Sequence, residues 1–103
     1  MQDRRQEPRS PVELVINKYI DGYPYLCHVL DISWTGIRVE NVIEPNVRRE
    51  FYPLEMGLPT SNEPIWVWTR PVWTGGRVQA LRFVGLDAKD ASALTEYLTR
   101  VAA

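Results

Sequence analysis

Apolar and polar residues alternate along most of this 103-residue chain, and the alternation gives way to a different period only near the end. Val12, Leu14 and Ile16 alternate with Glu13, Val15 and Asn17, close to the period of two that marks a half-buried strand. Asp21-Gly22 is a turn signal. Tyr25 to Leu30 then reads as a second strand, paired back on the first as a hairpin. Pro24 falls just before it, where a missing amide donor does least harm. Asp31 to Gly36 reads as a tight turn. Ile37 and Val39, alternating with Arg38 and Glu40, predict a third strand, and residues 41–50 a polar loop. Phe51 to Leu58 is a weaker strand in which Pro53 marks an edge or a bulge. After a loop at Pro59 to Pro64, Ile65 to Trp73 predicts a strand broken or bent near Pro71. Gly75-Gly76 predicts a turn, and Arg77 to Val84 the last strand.

The tail has helical spacing. Ala91, Leu94, Leu98 and Val101 share one helical face, with Tyr97 beside them. Asp87 is placed to cap the first turn, and Asp90 adds a favourable charge near the N-terminus. Five or six short strands followed by one helix predict a mainly β fold, a small antiparallel barrel with a packed C-terminal helix. Residues 1–11 are polar, with Pro8 and Pro11 near their end, and read as an extended, mobile arm; residues 12–103 read as one domain.

Composition narrows the function classes. Hydrophobic residues make up 45%, as in a globular chain. No apolar run approaches the roughly 20 residues of a membrane span, and no apolar export signal is visible. The single cysteine, Cys27, excludes an internal disulfide and fits a reducing, cytoplasmic compartment. Twelve basic and thirteen acidic residues give a net charge of −1, which argues against broad nucleic-acid binding. The charge is uneven, however. Arg4, Arg5 and Arg9 crowd the first ten residues and attract anions locally.

These arginines and the turn after the second strand carry the candidate chemistry. A guanidinium fork grips two phosphate oxygens or the O6 and N7 edge of a guanine, and its face stacks on a base. Asp31 and Ser33 either cap backbone amides of their own turn or bond a guanine edge or a ribose. Gly36 permits positive φ or a close backbone approach. Read singly, the arm is more simply a solvated charged tail. Trp66 and Trp68 share one face of their strand, so they either project outward or pack under the helix. Arg38 and Arg82 alternate outward; Arg38 adds positive potential, while Arg82 reads as a surface charge. Cys27 and His28 lack the partners that a metal site needs, and neighbours on a strand point to opposite sides, so a catalytic pair is not expected.

Arg4-Arg5-x-x-x-Arg9 followed by Asp31-x-Ser33-x-x-Gly36 resembles the PilZ domain family, as do Leu81-Arg82-Phe83-Val84-Gly85-Leu86 and the final helix. The resemblance covers nearly the whole chain. It implies a six-stranded barrel that binds cyclic di-GMP, needs no cofactor or metal and is not an enzyme. Arg5 and Arg9 would grip guanine edges and phosphates, and Asp31, Ser33 and Gly36 the second side of the ligand. Arg4 would accompany a stacked ligand dimer, and Trp68 would stack on a purine. The chain departs from the pattern at Ala80, where the family often has glycine, and at Trp34, a large residue within the turn.

The expected function is therefore a single-domain receptor that changes conformation on binding cyclic di-GMP and signals to a protein partner, in motility or surface behaviour. The alternative is an interaction adaptor that keeps the barrel without the ligand, docking through Trp66 and Trp68. Neither reading involves nucleic acid or a membrane span.

Overall fold

The computed structural model describes residues 14–102. The arm at 1–11 and Val12 lie outside the described residues. Six strands and one helix follow in order: β1 (Leu14–Ile20), β2 (Tyr23–Ile32), β3 (Gly36–Asn41), β4 (Tyr52–Met56), β5 (Ile65–Gly75), β6 (Val78–Gly85) and α1 (Ala88–Ala102). The strands close into an antiparallel barrel in the order β1-β2-β3-β6-β5-β4, with β4 returning to β1. Closure pairs both sides of the sheet and leaves no long edge open to another chain. No described helix is long and apolar enough to cross a membrane.

Alternation decides which side chains fill the barrel. Ile16, Val39, Leu54, Met56, Ile65, Val67 and Leu81 point inward and are buried. Leu94, Tyr97 and Leu98 of α1 join the same core and bring the helix against β5. Each of these burials stabilises by roughly 1.5–3 kcal/mol before entropy is counted. Asp87 caps α1 as expected: its Oδ1 accepts the Asp90 amide at 2.8 Å. The Asp90 carboxylate in turn accepts the Trp66 amide at 3.2 Å, tying the helix start to β5.

Element boundaries move where local signals meet long-range pairing. β2 begins at Tyr23, so Pro24 lies inside the strand, opposite Tyr19. In a hairpin closed by Ile20↔Tyr23, the next pair exchanges no hydrogen bonds. The Pro24 nitrogen therefore faces away from β1, toward a side where β3 pairing begins only at Cys27. Pro53 is tolerated similarly, because the β1 ladder ends at Leu54. Asp31 and Ile32 belong to β2 and Gly36 to β3, which shrinks the predicted turn to Ser33-Trp34-Thr35. The last hairpin turns at Gly76-Arg77, one residue later than predicted, with Gly76 at φ 60° and Gly75 ending β5.

Lys18 sits at an inward position of β1 and is fully buried, a placement that the alternation contains but that sequence analysis did not single out. Its ammonium donates to Asn41 Oδ1 at 3.0 Å and Gln79 Oε1 at 2.8 Å, and pairs with Glu44 Oε1 at 2.9 Å. It also faces the Tyr52 ring, 4.8 Å from the centroid. These partners come from β3, β6, β4 and the 42–51 loop, so one buried charge ties down the loop that crosses from β3 to β4. Removing one member of such a pair leaves a buried charge uncompensated. Lys18→Met is expected to lower unfolding free energy by about 3 kcal/mol in urea titrations. The loss is expected to shrink when Glu44→Gln is also present.

Candidate functional site

The outer face of β2, β3, β6 and β5 carries the turn motif and a row of side chains across four strands. Asp31 pairs with Arg38, Arg38 with Ala80, and Ala80 with Trp73. Three interstrand steps of about 4.8 Å set a row about 14 Å long. A bulge after Val29 rephases β2 so that Asp31 stands against Arg38. Arg38 then clamps Asp31 Oδ2 through Nε at 2.9 Å and Nη2 at 2.8 Å. A second row joins Gly36, Arg82 and Arg70. Arg70 and Arg82 are exposed and directly opposite each other, with no ion-pair partner among the described residues. Like charges so placed repel, and a bound anion would relieve the repulsion.

The turn is held from within. Ser33 is buried; its hydroxyl donates to the Gly36 carbonyl at 3.3 Å and accepts the Thr35 amide at 3.4 Å. The Ser33 amide donates to the same Gly36 carbonyl at 2.9 Å, and the Phe83 amide of β6 donates to the Thr35 carbonyl at 2.8 Å. Gly36 serves close approach rather than positive φ. A Cβ there would stand 2.6 Å from the backbone oxygen of Leu81. Trp34 projects from the turn, exposed.

Arg4, Arg5 and Arg9 lie outside the described residues. The described chain enters β1 at Leu14, which pairs with Val29, two residues before Asp31. Beside Trp73, the 42–51 loop and the β5–β6 hairpin enclose a cleft of about 860 Å³, with Arg48 and Arg77 on its walls. That volume suits a small-molecule ligand.

The model of the PilZ domain family matches residues 3–100. The chain belongs to the PilZ domain family. Among curated proteins none matches it. Solved structures share the fold of this PilZ domain at low identity. The Bacillus subtilis inhibitor of motility MotI/DgrA is 21% identical with a TM-score of 0.72, over 96% of this chain and 51% of that one. The PilZ domain of CeSA from a cellulose-synthesizing bacterium is 14% identical with a TM-score of 0.71, over 93% and 99%. An uncharacterized Legionella protein is 16% identical with a TM-score of 0.58, over 91% and 92%. This PilZ domain thus spans about half the length of MotI/DgrA.

The fold of this PilZ domain does not bring Trp68 onto the Asp31 row. Trp68 pairs with Gly85 and Pro53 and lines a separate groove with Trp66, Phe51 and Tyr19. Trp73, which the sequence reading passed over, holds the place in the row. Simple alternation along β5 would turn Trp73 inward. The bulge between Pro71 and Trp73 resets the phase, so that Val72 and Trp73 are both exposed. Proline within a strand was the available signal. Gly75 makes room for the indole, since a Cβ there would come within 2.5 Å of the Trp73 ring.

Cys27 is fully buried while His28 is exposed, as adjacent strand residues require. The thiol donates to Asn41 Oδ1 at 3.3 Å, and burial pushes its pKa up to about 11. Among the described residues no cluster of three or more metal-ligating groups occurs.

Two outcomes follow from this geometry. Gly36→Ala is expected to lower stability by about 1–3 kcal/mol, because a backbone carbonyl cannot swing aside as a side chain would. Gly57→Ala, where a Cβ meets nothing within 4 Å, serves as the control in the same denaturant series. For Cys27, the folded thiol stays protonated up to about pH 11, while the unfolded thiol ionises near 9. Between those values the unfolded state holds fewer protons, so stability falls as pH rises. Cys27→Ala is expected to lose that part of the alkaline slope in pH-dependent melting.

Proposed function

We propose that this PilZ domain is a receptor for cyclic di-GMP that does not turn its ligand over. The observation that carries the reading is the outer face itself. The Asp31-x-Ser33-x-x-Gly36 turn stands beside two opposed arginines, Arg70 and Arg82, that form no ion pair among the described residues, and ends a row that runs through Arg38 to an exposed indole. Cationic forks and an aromatic plate suit a ligand made of two phosphates and two purines. In this reading Arg5 and Arg9 close from the arm over guanine edges and phosphates, and Arg4 contacts a second, stacked ligand. Asp31 and Arg38 exchange part of their mutual ion pair for ligand contacts, and Trp73 takes the stacking role that Trp68 is too far along β5 to fill. The buried Ser33 and Gly36 hold the turn in shape beneath.

Ligand closure of the arm changes the surface shown to a protein partner, in a cytoplasmic pathway governing motility or surface polysaccharide. The inhibitor of motility and the PilZ domain of CeSA from a cellulose-synthesizing bacterium, among the structural neighbours, support that choice of output.

Calorimetry with cyclic di-GMP at physiological salt tests the reading, and absence of binding by the intact chain would remove it. Arg5→Ala and Arg9→Ala are each expected to weaken binding roughly tenfold or more, the loss of one charge-assisted contact. Trp73→Ala is expected to cost about 1–3 kcal/mol of affinity, and Trp68→Ala to leave it unchanged.

A further inference from the structure

Farther along the outer side of β5, beyond Arg70, the barrel carries an apolar groove of about 290 Å³ between the β1–β2 hairpin, β4 and β5. Trp66, Trp68 and Phe51 are 44%, 53% and 44% exposed around it. Tyr19 tilts against Trp66 with ring centroids 5.1 Å apart, which opens a cleft rather than a flat plate. Three large aromatic residues left at the surface together mark an interaction site more than three scattered ones would. The groove is smaller than most sites for whole cofactors, and its size suits one or two side chains of a partner.

Its rim selects the sign of those side chains. Glu55, opposite Trp66 in the β4–β5 ladder, has its carboxylate held by neutral donors, Tyr19 Oη at 3.1 Å and Asn17 Nδ2 at 3.3 Å. Asp90 lies under Trp66, bonded to its backbone amide. The guanidinium at the groove, Arg49, is already gripped by Asp21 through two bonds of 2.8 and 2.7 Å. Lys89 is likewise paired, with Glu63 at 3.1 Å. Carboxylates therefore dominate the Trp66 end of the groove, whereas Arg70, two positions beyond Trp68 on the same side of β5, and Arg82 make the neighbouring surface positive.

We propose that this groove docks a protein partner through an arginine or lysine flanked by apolar residues, the cation lying over the Trp66 or Trp68 indole and facing Glu55. Cation–π attraction and the carboxylate act in the same direction. A second copy of the chain is a poorer occupant, since a two-fold contact would set the acidic rim against itself. The chain's own basic arm is also a poorer one, since in the receptor reading its arginines are engaged by the ligand. The inference extends the receptor reading by giving the partner a chemistry. Its test reads the groove directly, so failure here leaves the ligand reading standing.

The test is an NMR titration of the intact chain, following the four indole N–H signals. The probes are a synthetic 12-residue peptide of Leu, Val and Arg and the same peptide with Glu in place of Arg. The basic peptide is expected to shift the Trp66 and Trp68 signals and to bind at least tenfold more tightly than the acidic one. Trp66→Ala is expected to weaken it at least tenfold and Glu55→Gln a few-fold, while both variants keep the wild-type affinity for cyclic di-GMP. Equal binding of both peptides, no binding, or shifts confined to Trp34 and Trp73 would overturn the proposal. So would a doubled mass in sedimentation that Trp66→Ala abolishes, which would make a second copy the occupant. Movement of the groove signals on deleting residues 1–11 would assign the groove to the arm and overturn it equally.

Discussion

The backbone oxygen of Leu81 stands where residue 36 would carry a side chain. That contact between β3 and β6 sets much of what lies around it. It brings the start of β3 close enough for the Phe83 amide to reach the Thr35 carbonyl, and so pins the Ser33-Trp34-Thr35 turn to the sheet. With the turn pinned, the β3–β6 register is fixed, and with it the placing of Arg38 beside Asp31 and of Arg82 beside Gly36. The glycine of the motif is thus a steric condition for the turn and for the strand register around it. A small close-packed barrel has few ways to relax such an approach, because each strand is bonded on both sides.

The two ends of the barrel are closed by different physics. One end is covered by α1 through Leu94, Tyr97 and Leu98, a hydrophobic closure with little directional demand. At the other, Lys18 is bonded by Asn41, Gln79 and Glu44, a polar closure that is favourable only while each partner is in place. The polar closure fixes the 42–51 loop, which forms a wall of the cleft beside Trp73. The loop and the outer face that carries the motif therefore meet at Trp73. The outer surface divides in the same way: arginines on β5 and β6 near the motif, carboxylates around Trp66.

Much of this was legible in the sequence. The period of two gave the strands, the change of period gave the helix, and Asp87 gave its cap; each depends on neighbours a few residues apart. The separation of Cys27 from His28, the shared face of Trp66 and Trp68, and the distortion at Pro71 were legible for the same reason. The family was readable from the spacing of the arginines and the Asp-x-Ser-x-x-Gly turn. Exposure of Trp66 and Trp68 settled one alternative, since neither packs under α1.

Sequence alone determined the elements, their order and the motif residues, because hydrophobic periodicity and turn chemistry act over short spans of chain. Tertiary structure decided which residues stand together. Bulges after Val29 and at Pro71 shift the phase of β2 and β5, so that Asp31 stands against Arg38 and Trp73 rather than Val72 stands against Ala80. The partners of Lys18 lie 23, 26 and 61 residues away along the chain. No local pattern encodes pairings of that length. They follow from register, and register is set only when the whole barrel closes.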